Sequence, residues 1–198
     1  MCYTASGDFL VSLESKDETK IKIARYSNLN IIQEIQYDQI GRPIYVAGKY
    51  YVLVEENTNP DICASEPNKN EIVVTNKTGN LRWRYHGNLQ IGKFNTFSPS
   101  FICLNKYCQL LVKDTDNSCV HLLEMDGIFI AYVEHLKIRG IGAMSLDENE
   151  RLWIANYKGR QIYVFISISS EYKISNVVLS EVTVYSKPKK DHDRCVFT

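Results

Sequence analysis

The side chains best suited to nucleophilic or metal chemistry are six cysteines (Cys2, Cys63, Cys103, Cys108, Cys119, Cys195) and four histidines (His86, His121, His135, His192). A structural zinc site needs ligands paired at short spacing, because four donors must converge on one ion. No CxxC pair occurs; Cys103 and Cys108 enclose four residues, and no second Cys/His pair follows at zinc-finger spacing. The expectation is therefore no metal and no cofactor, with the cysteines serving as reduced, small apolar side chains on strands of a cytoplasmic protein. Asp114-Thr115-Asp116-Asn117 opens like a calcium loop but lacks the glycine at the sixth position and the glutamate at the twelfth, so it reads as a polar loop between strands. Nucleophile elbow, phosphate-binding loop and H-E-x-x-H motifs are missing, and no catalytic residue is expected. Asn76-Lys77-Thr78 fits a glycosylation acceptor, but with no secretory leader recognisable it reads as a β-turn.

Arg82-Trp83-Arg84-Tyr85 alternates basic and aromatic residues, a pattern able to stack on single-stranded nucleic acid. On a strand, however, the two arginines share one face and the two aromatics the other. The simpler expectation is an outer strand with Trp83 packed inward and the arginines in solvent.

These residues need elements to carry them, and the chain supplies a repeat. Short apolar strands open at Asp8-Phe9-Leu10-Val11-Ser12, Asp61-Ile62-Cys63-Ala64, Gln109-Leu110-Leu111-Val112 and Arg151-Leu152-Trp153-Ile154-Ala155. A polar loop and a second strand follow each one, at Ile21–Arg25, Ile72–Thr75, Val120–Leu123 and Ile162–Phe165. Ile62 to Ile72, Leu110 to Val120 and Leu152 to Ile162 are each ten residues; Leu10 to Ile21 is one longer. Turns at Thr78-Gly79-Asn80 and Asp126-Gly127 lead to a third strand, glycine accepting the positive φ of a tight turn; Asn28-Leu29-Asn30 takes that place in the first unit. A further strand precedes each opening strand, at Tyr50–Val54, Phe101–Leu104 and Ile141–Leu146. Four short antiparallel strands per unit, repeating every forty to fifty residues or so, predict an all-β fold of propeller blades.

The carrying segments are Ser6–Ser12, Ile31–Asp38, Asp61–Cys63, Gly79–Tyr85, Cys119–Gly127 and Asp147–Ala155. They resemble the NHL repeats of tripartite-motif proteins, over about residues 4 to 166. The resemblance implies a β-propeller of about four NHL-like units, incomplete or open, where the family closes with about six blades. The units are expected at 1–40, 41–90, 91–135 and 136–166, followed by an atypical tail at 167–198 whose charged end looks solvated. The family's RING and B-box modules are not found in this sequence, so the expectation is a fragment or truncated product without ligase activity of its own.

What such a propeller recognises follows from its rim. Lys+Arg and Asp+Glu are both 23, a balance that argues against a dedicated nucleic-acid binder, and no apolar run is long enough for a membrane span. Loops between the second and third strands, with the inter-blade connections, are the expected docking end. They carry Lys69, Lys113, Arg139, Tyr157, Lys158 and Arg160, with Glu66, Asp114 and Asp116 offsetting their field. The expected partner is a protein, with RNA the alternative; an open arc is expected to self-associate through exposed blade faces.

Overall fold

A computed structural model describes residues 1–48, 52–88, 96–133, 140–156 and 161–165. Short apolar runs, broken by Asn-, Asp- and Gly-containing turns, produce strands and no helix among the described residues. In blade 1 the strands are β1 (Cys2–Tyr3), β2 (Phe9–Glu14), β3 (Ile21–Ser27) and β4 (Asn30–Ile35). Blade 2 has β5 (Leu53–Glu56), β6 (Ile62–Glu66), β7 (Glu71–Thr75) and β8 (Leu81–Tyr85). Blade 3 has β9 (Pro99–Leu104), β10 (Leu110–Asp114), β11 (Cys119–Leu123) and β12 (Phe129–Val133). Blade 4 has β13 (Ile141–Leu146), β14 (Leu152–Asn156) and β15 (Gln161–Phe165). Each sheet is antiparallel with strands in sequence order. Contacts between sheets run through their first strands, β1 with β5, β5 with β9 and β9 with β13, so these line the inner side of the arc. This is the architecture of β-propeller blades, as the repeat predicts.

Stacking the blades is what buries their two faces. Leu10, Ile21, Ile23 and Ile35 of blade 1 pack on Val54, Ile62, Ala64 and Val73 of blade 2. The alternate residues of blade 2, Cys63, Ile72, Val74 and Tyr85, pack on Ile102, Leu110, Val112 and Leu123 of blade 3. Leu111, Val120 and Leu122 of blade 3 then meet Met144, Ile154, Tyr163 and Phe165 of blade 4. Every residue of β6, β7, β10 and β11 is buried, because those strands have a blade on both sides. Blade 1 has one covered face: Leu10 is 0% exposed while its neighbour Phe9 is 46% exposed.

Register refines the repeat. Ile62, Leu110 and Leu152 pair with Thr75, Leu123 and Phe165, leaving four-residue loops at 67–70 and 115–118. In blade 1 Glu14 pairs with Ile21, leaving six residues, 15–20, in the loop. That loop is two residues longer than those of blades 2 and 3, and Ile21, like Ile72, lies on the face that meets the following blade. The hairpin between β3 and β4 is a two-residue loop: Ser27 pairs with Asn30, and Asn28 and Leu29 have φ of 46° and 67°. Both central residues at positive φ match the right-handed twist of the flanking strands. The strand expected at Tyr50–Val54 is β5, shifted to Leu53–Glu56; Tyr50 and Tyr51 lie outside the described residues.

Candidate functional site

Each chain connection that crosses from the outer strand of one blade to the inner strand of the next exposes backbone N–H groups that need partners. Acidic residues at the ends of β6 and β10 supply them. Glu66 Oε2 accepts the Val46 N–H at 3.1 Å and its Oε1 accepts the Asn68 N–H at 3.2 Å. Asp114 Oδ1 accepts the Ser98 N–H at 3.2 Å and the Asn117 N–H at 3.4 Å. Both acids are fully buried. They clamp the incoming connections and do not offset charge on the rim as expected, because their lone pairs are turned inward. Asp116 stays exposed in its loop and accepts a bond from Thr96 Oγ1 at 3.0 Å.

Asp114 belongs to a larger assembly. Asp114 and Cys119 are cross-strand partners and His121 is two residues on, so all three project from one face of blade 3 towards Tyr85 of blade 2. His121 Nε2 lies 3.2 Å from Asp114 Oδ2, and His121 Nδ1 lies 2.8 Å from the Tyr85 hydroxyl. Burial alone would raise the Asp114 carboxyl, but hydrogen bonds from His121, Asn117 and the Ser98 N–H outweigh it and hold it below its ordinary value. The ionised carboxylate accepts only, so Nε2 carries the proton it shares with Asp114. The rings of Phe97, Phe129 and Tyr132 close around the imidazole, with centroids 5.0, 5.9 and 4.9 Å away. Donor atoms of Asp114, Cys119 and His121 lie within 4.8 Å of one another, a set that sequence spacing does not reveal. Both imidazole nitrogens and both Asp114 oxygens are engaged in hydrogen bonds, so the set acts here as a sealed network joining blades 2 and 3.

The thiols offer no activated nucleophile among the groups that shift. Burial, first of all, pushes Cys2 up to about 11 and Cys103 up to about 12, and Cys63 is raised further by the same cause. A thiol kept protonated at neutral pH is a poor nucleophile and metal ligand.

Arg82, Trp83, Arg84 and Tyr85 alternate sides of β8 as expected, but the arginines are not free in solvent. Arg82 pairs with Asp61 and Arg84 with Glu71, carboxylates whose side chains are 4% and 3% exposed. Trp83 Nε1 donates to Met125 O at 3.2 Å, and its indole lies against Gly127 of blade 3. Tyr85 enters the His121 network. The two arginines thus pair with acids of their own blade, while Trp83 and Tyr85 reach blade 3.

Of the six rim residues, two lie within the described structure. Lys69 is exposed in the loop 67–70 and borders a cavity of about 500 Å³ lined by Asp38, Arg42, Pro43, Lys69, Glu71, Leu81 and Arg84. Lys113 is not in a loop: it is the fourth residue of β10 and is buried on the side facing blade 4. Its ammonium is 3.4 Å from Gly142 O and 5.2 Å from the Phe101 ring centroid, and burial lowers its pKa. Alternation along β10 turns it into the blade interface. Arg139, Tyr157, Lys158 and Arg160 lie outside the described residues, as does Cys195.

No family model and no curated protein matches the chain. Solved structures do. A catalytically inactive virginiamycin B lyase from Staphylococcus aureus, with quinupristin, superposes with a TM-score of 0.63 at 18% identity, covering 94% of this chain and 55% of that one. A periplasmic gluconolactonase of Pseudomonas aeruginosa gives 0.59 at 12% identity, covering 89% and 55%. Hsv2 of Kluyveromyces lactis gives 0.54 at 16% identity, covering 87% and 51%. At such identities the likeness concerns the propeller fold, and the chain spans about half the length of these neighbours.

Proposed function

We propose that this chain is a protein-recognition module without catalysis of its own, the part of a tripartite-motif-like protein that selects a ligase's substrate or partner. The observation that carries the reading is the sealed Asp114–His121–Tyr85 network. That network has the composition of a catalytic site, yet His121 and Asp114 are 1% and 0% exposed. Catalysis needs a group that reaches substrate; these reach only one another. The NHL resemblance supplies the family, and the cytoplasm is the compartment that goes with it. Fold likeness to a lyase and a lactonase does not carry their chemistry, because function resides in sites rather than folds.

The experiment is affinity capture on the purified full chain, with and without ribonuclease, over a salt series. A protein retained after ribonuclease treatment, and only weakly released between low and physiological salt, supports the reading. Capture of RNA whose affinity falls steeply with salt replaces it with RNA recognition, since phosphate binding releases counterions. A hydrolase or lyase turnover lost on substitution of one exposed loop residue overturns it. Sedimentation of the same sample tests self-association through the half-open face of blade 1, where Tyr3, Phe9 and Ile31 are 69%, 46% and 47% exposed.

A further inference from the structure

We propose that the cavity beside Lys69 is a carboxylate-binding subsite that takes an Asp or Glu side chain presented by a protein partner. The inference rests on the protein-recognition reading and adds the chemistry of what is recognised.

Three cations, Arg42, Lys69 and Arg84, face two carboxylates, Asp38 and Glu71. Both carboxylates are already used. Asp38 Oδ1 accepts the N–H groups of Ile40 at 3.0 Å and Arg42 at 2.9 Å, and Asp38 Oδ2 accepts from Arg42 Nε at 2.8 Å. These bonds, the Arg42 N–H foremost, hold the Asp38 carboxyl below its ordinary value. Glu71 Oε1 is taken by Arg84 Nη1, and Glu71 Oε2 lies 3.5 Å from His86 Nδ1. Arg84 Nη2 is spent on Ile44 O at 3.2 Å. Asp38 and Glu71 side chains are 11% and 3% exposed, while that of Arg42 is 71% exposed.

The donors are left over. Among the described residues, no hydrogen bond or ion pair engages the Lys69 ammonium or the terminal nitrogens of Arg42. The Arg42 guanidinium is nonetheless aimed, because its Nε is fixed by Asp38; its terminal nitrogens keep the fork that suits a carboxylate. Spent acceptors beside free donors make the wall favour an anion. Pro43 and Leu81 add apolar surface for the methylenes of an acidic side chain, and among the described residues no aromatic ring lines the cavity to stack a base. A peptide carboxylate therefore fits better than RNA. The pairs are solvent-accessible, so binding is weak and salt-sensitive.

The test is NMR on the ¹⁵N-labelled full chain at low salt. The probes are N-acetylglutamate methylamide, its glutamine counterpart, inorganic phosphate and a uridine pentanucleotide. The glutamate probe is expected to shift the amides of Arg42, Lys69 and Leu81 saturably, with the glutamine probe about tenfold weaker or worse. K69E is expected to lose the effect with its spectrum otherwise intact, and Lys16→Glu, an equal charge change in the exposed loop of blade 1, to keep it. Equal binding of the glutamine probe, equal loss in both variants, no localised shift, or saturation by phosphate or the pentanucleotide alone overturns the subsite. If a captured protein partner is indifferent to K69E, the subsite fails while protein recognition stands. If the glutamate probe binds and no protein is ever retained, the subsite stands and the recognition reading fails.

Discussion

Glu66 reaches back twenty residues to accept the Val46 N–H at 3.1 Å, so that the end of β6 clamps the connection that enters its own blade. Burial raises the Glu66 carboxyl, and the two backbone donors it serves pull the other way. E66A would leave the N–H groups of Val46 and Asn68 without acceptors, at roughly 1–3 kcal/mol for each group that water does not reach. Glu66→Gln keeps one acceptor and should cost less. Urea denaturation of both variants checks the order; equal stability of E66A and the parent chain would remove the clamp from the account.

The Asp114–His121 pair should behave as a coupled unit. H121F keeps a ring of similar shape but strips Asp114 of its buried donor and Tyr85 of its hydrogen-bond partner, which should cost about 3–5 kcal/mol. A double-mutant cycle with D114N should return a coupling of about 0.5–3 kcal/mol. Additive losses would mean that the two side chains act independently.

Gly127 has φ of +87°, and a Cβ there would lie 2.9 Å from Cδ2 and Cε3 of Trp83. G127A combines left-handed strain with a clash against a ring anchored to Met125 O, so a loss on the order of 1–3 kcal/mol is expected. Replacing Trp83 with Leu in the G127A background should recover part of it, because the clash goes and the strain stays. Thermal melts that show no recovery would place the whole cost in the backbone.

Asp147 supplies a pH test. Its carboxylate accepts from Trp153 Nε1 at 2.8 Å, Arg151 Nε at 2.6 Å and the N–H groups of Asn149 and Arg151. Partial desolvation raises its pKa, but these bonds outweigh it and lower the pKa from 3.8 to about 2. A folded pKa below the unfolded one means that the contribution is present above the ordinary carboxylate range. It is lost as pH falls from about 4 through about 2. A carboxyl titration by NMR should show the low midpoint, and W153F should move it upward. An unchanged midpoint in W153F would assign the shift to the backbone donors alone.

Local signals in the chain suffice for the blades themselves. The short apolar runs that open β6 and β10, Ile62–Ala64 and Leu110–Val112, and the turn glycines Gly79 and Gly127, both at positive φ, are written at short range, because strand and turn chemistry act between neighbours in sequence. Length of the first loop is less legible: the polar run 15–20 does not mark where pairing resumes, and pairing of Glu14 with Ile21 decides it. Partners of charged side chains are not legible at all. Arg82 looks solvated in sequence and is paired with Asp61 twenty-one residues away; Lys113 looks like a loop cation and is turned into a blade interface. Asp114 and His121 are seven residues apart, yet Tyr85, thirty-six residues before His121, completes their network. The sequence by itself determined an all-β chain of repeated four-strand units with turns at definite residues. Which acids clamp, which cations stay free and which catalytic-type groups are sealed was decided only when blade met blade, because burial and ion pairing depend on surfaces that no single repeat contains.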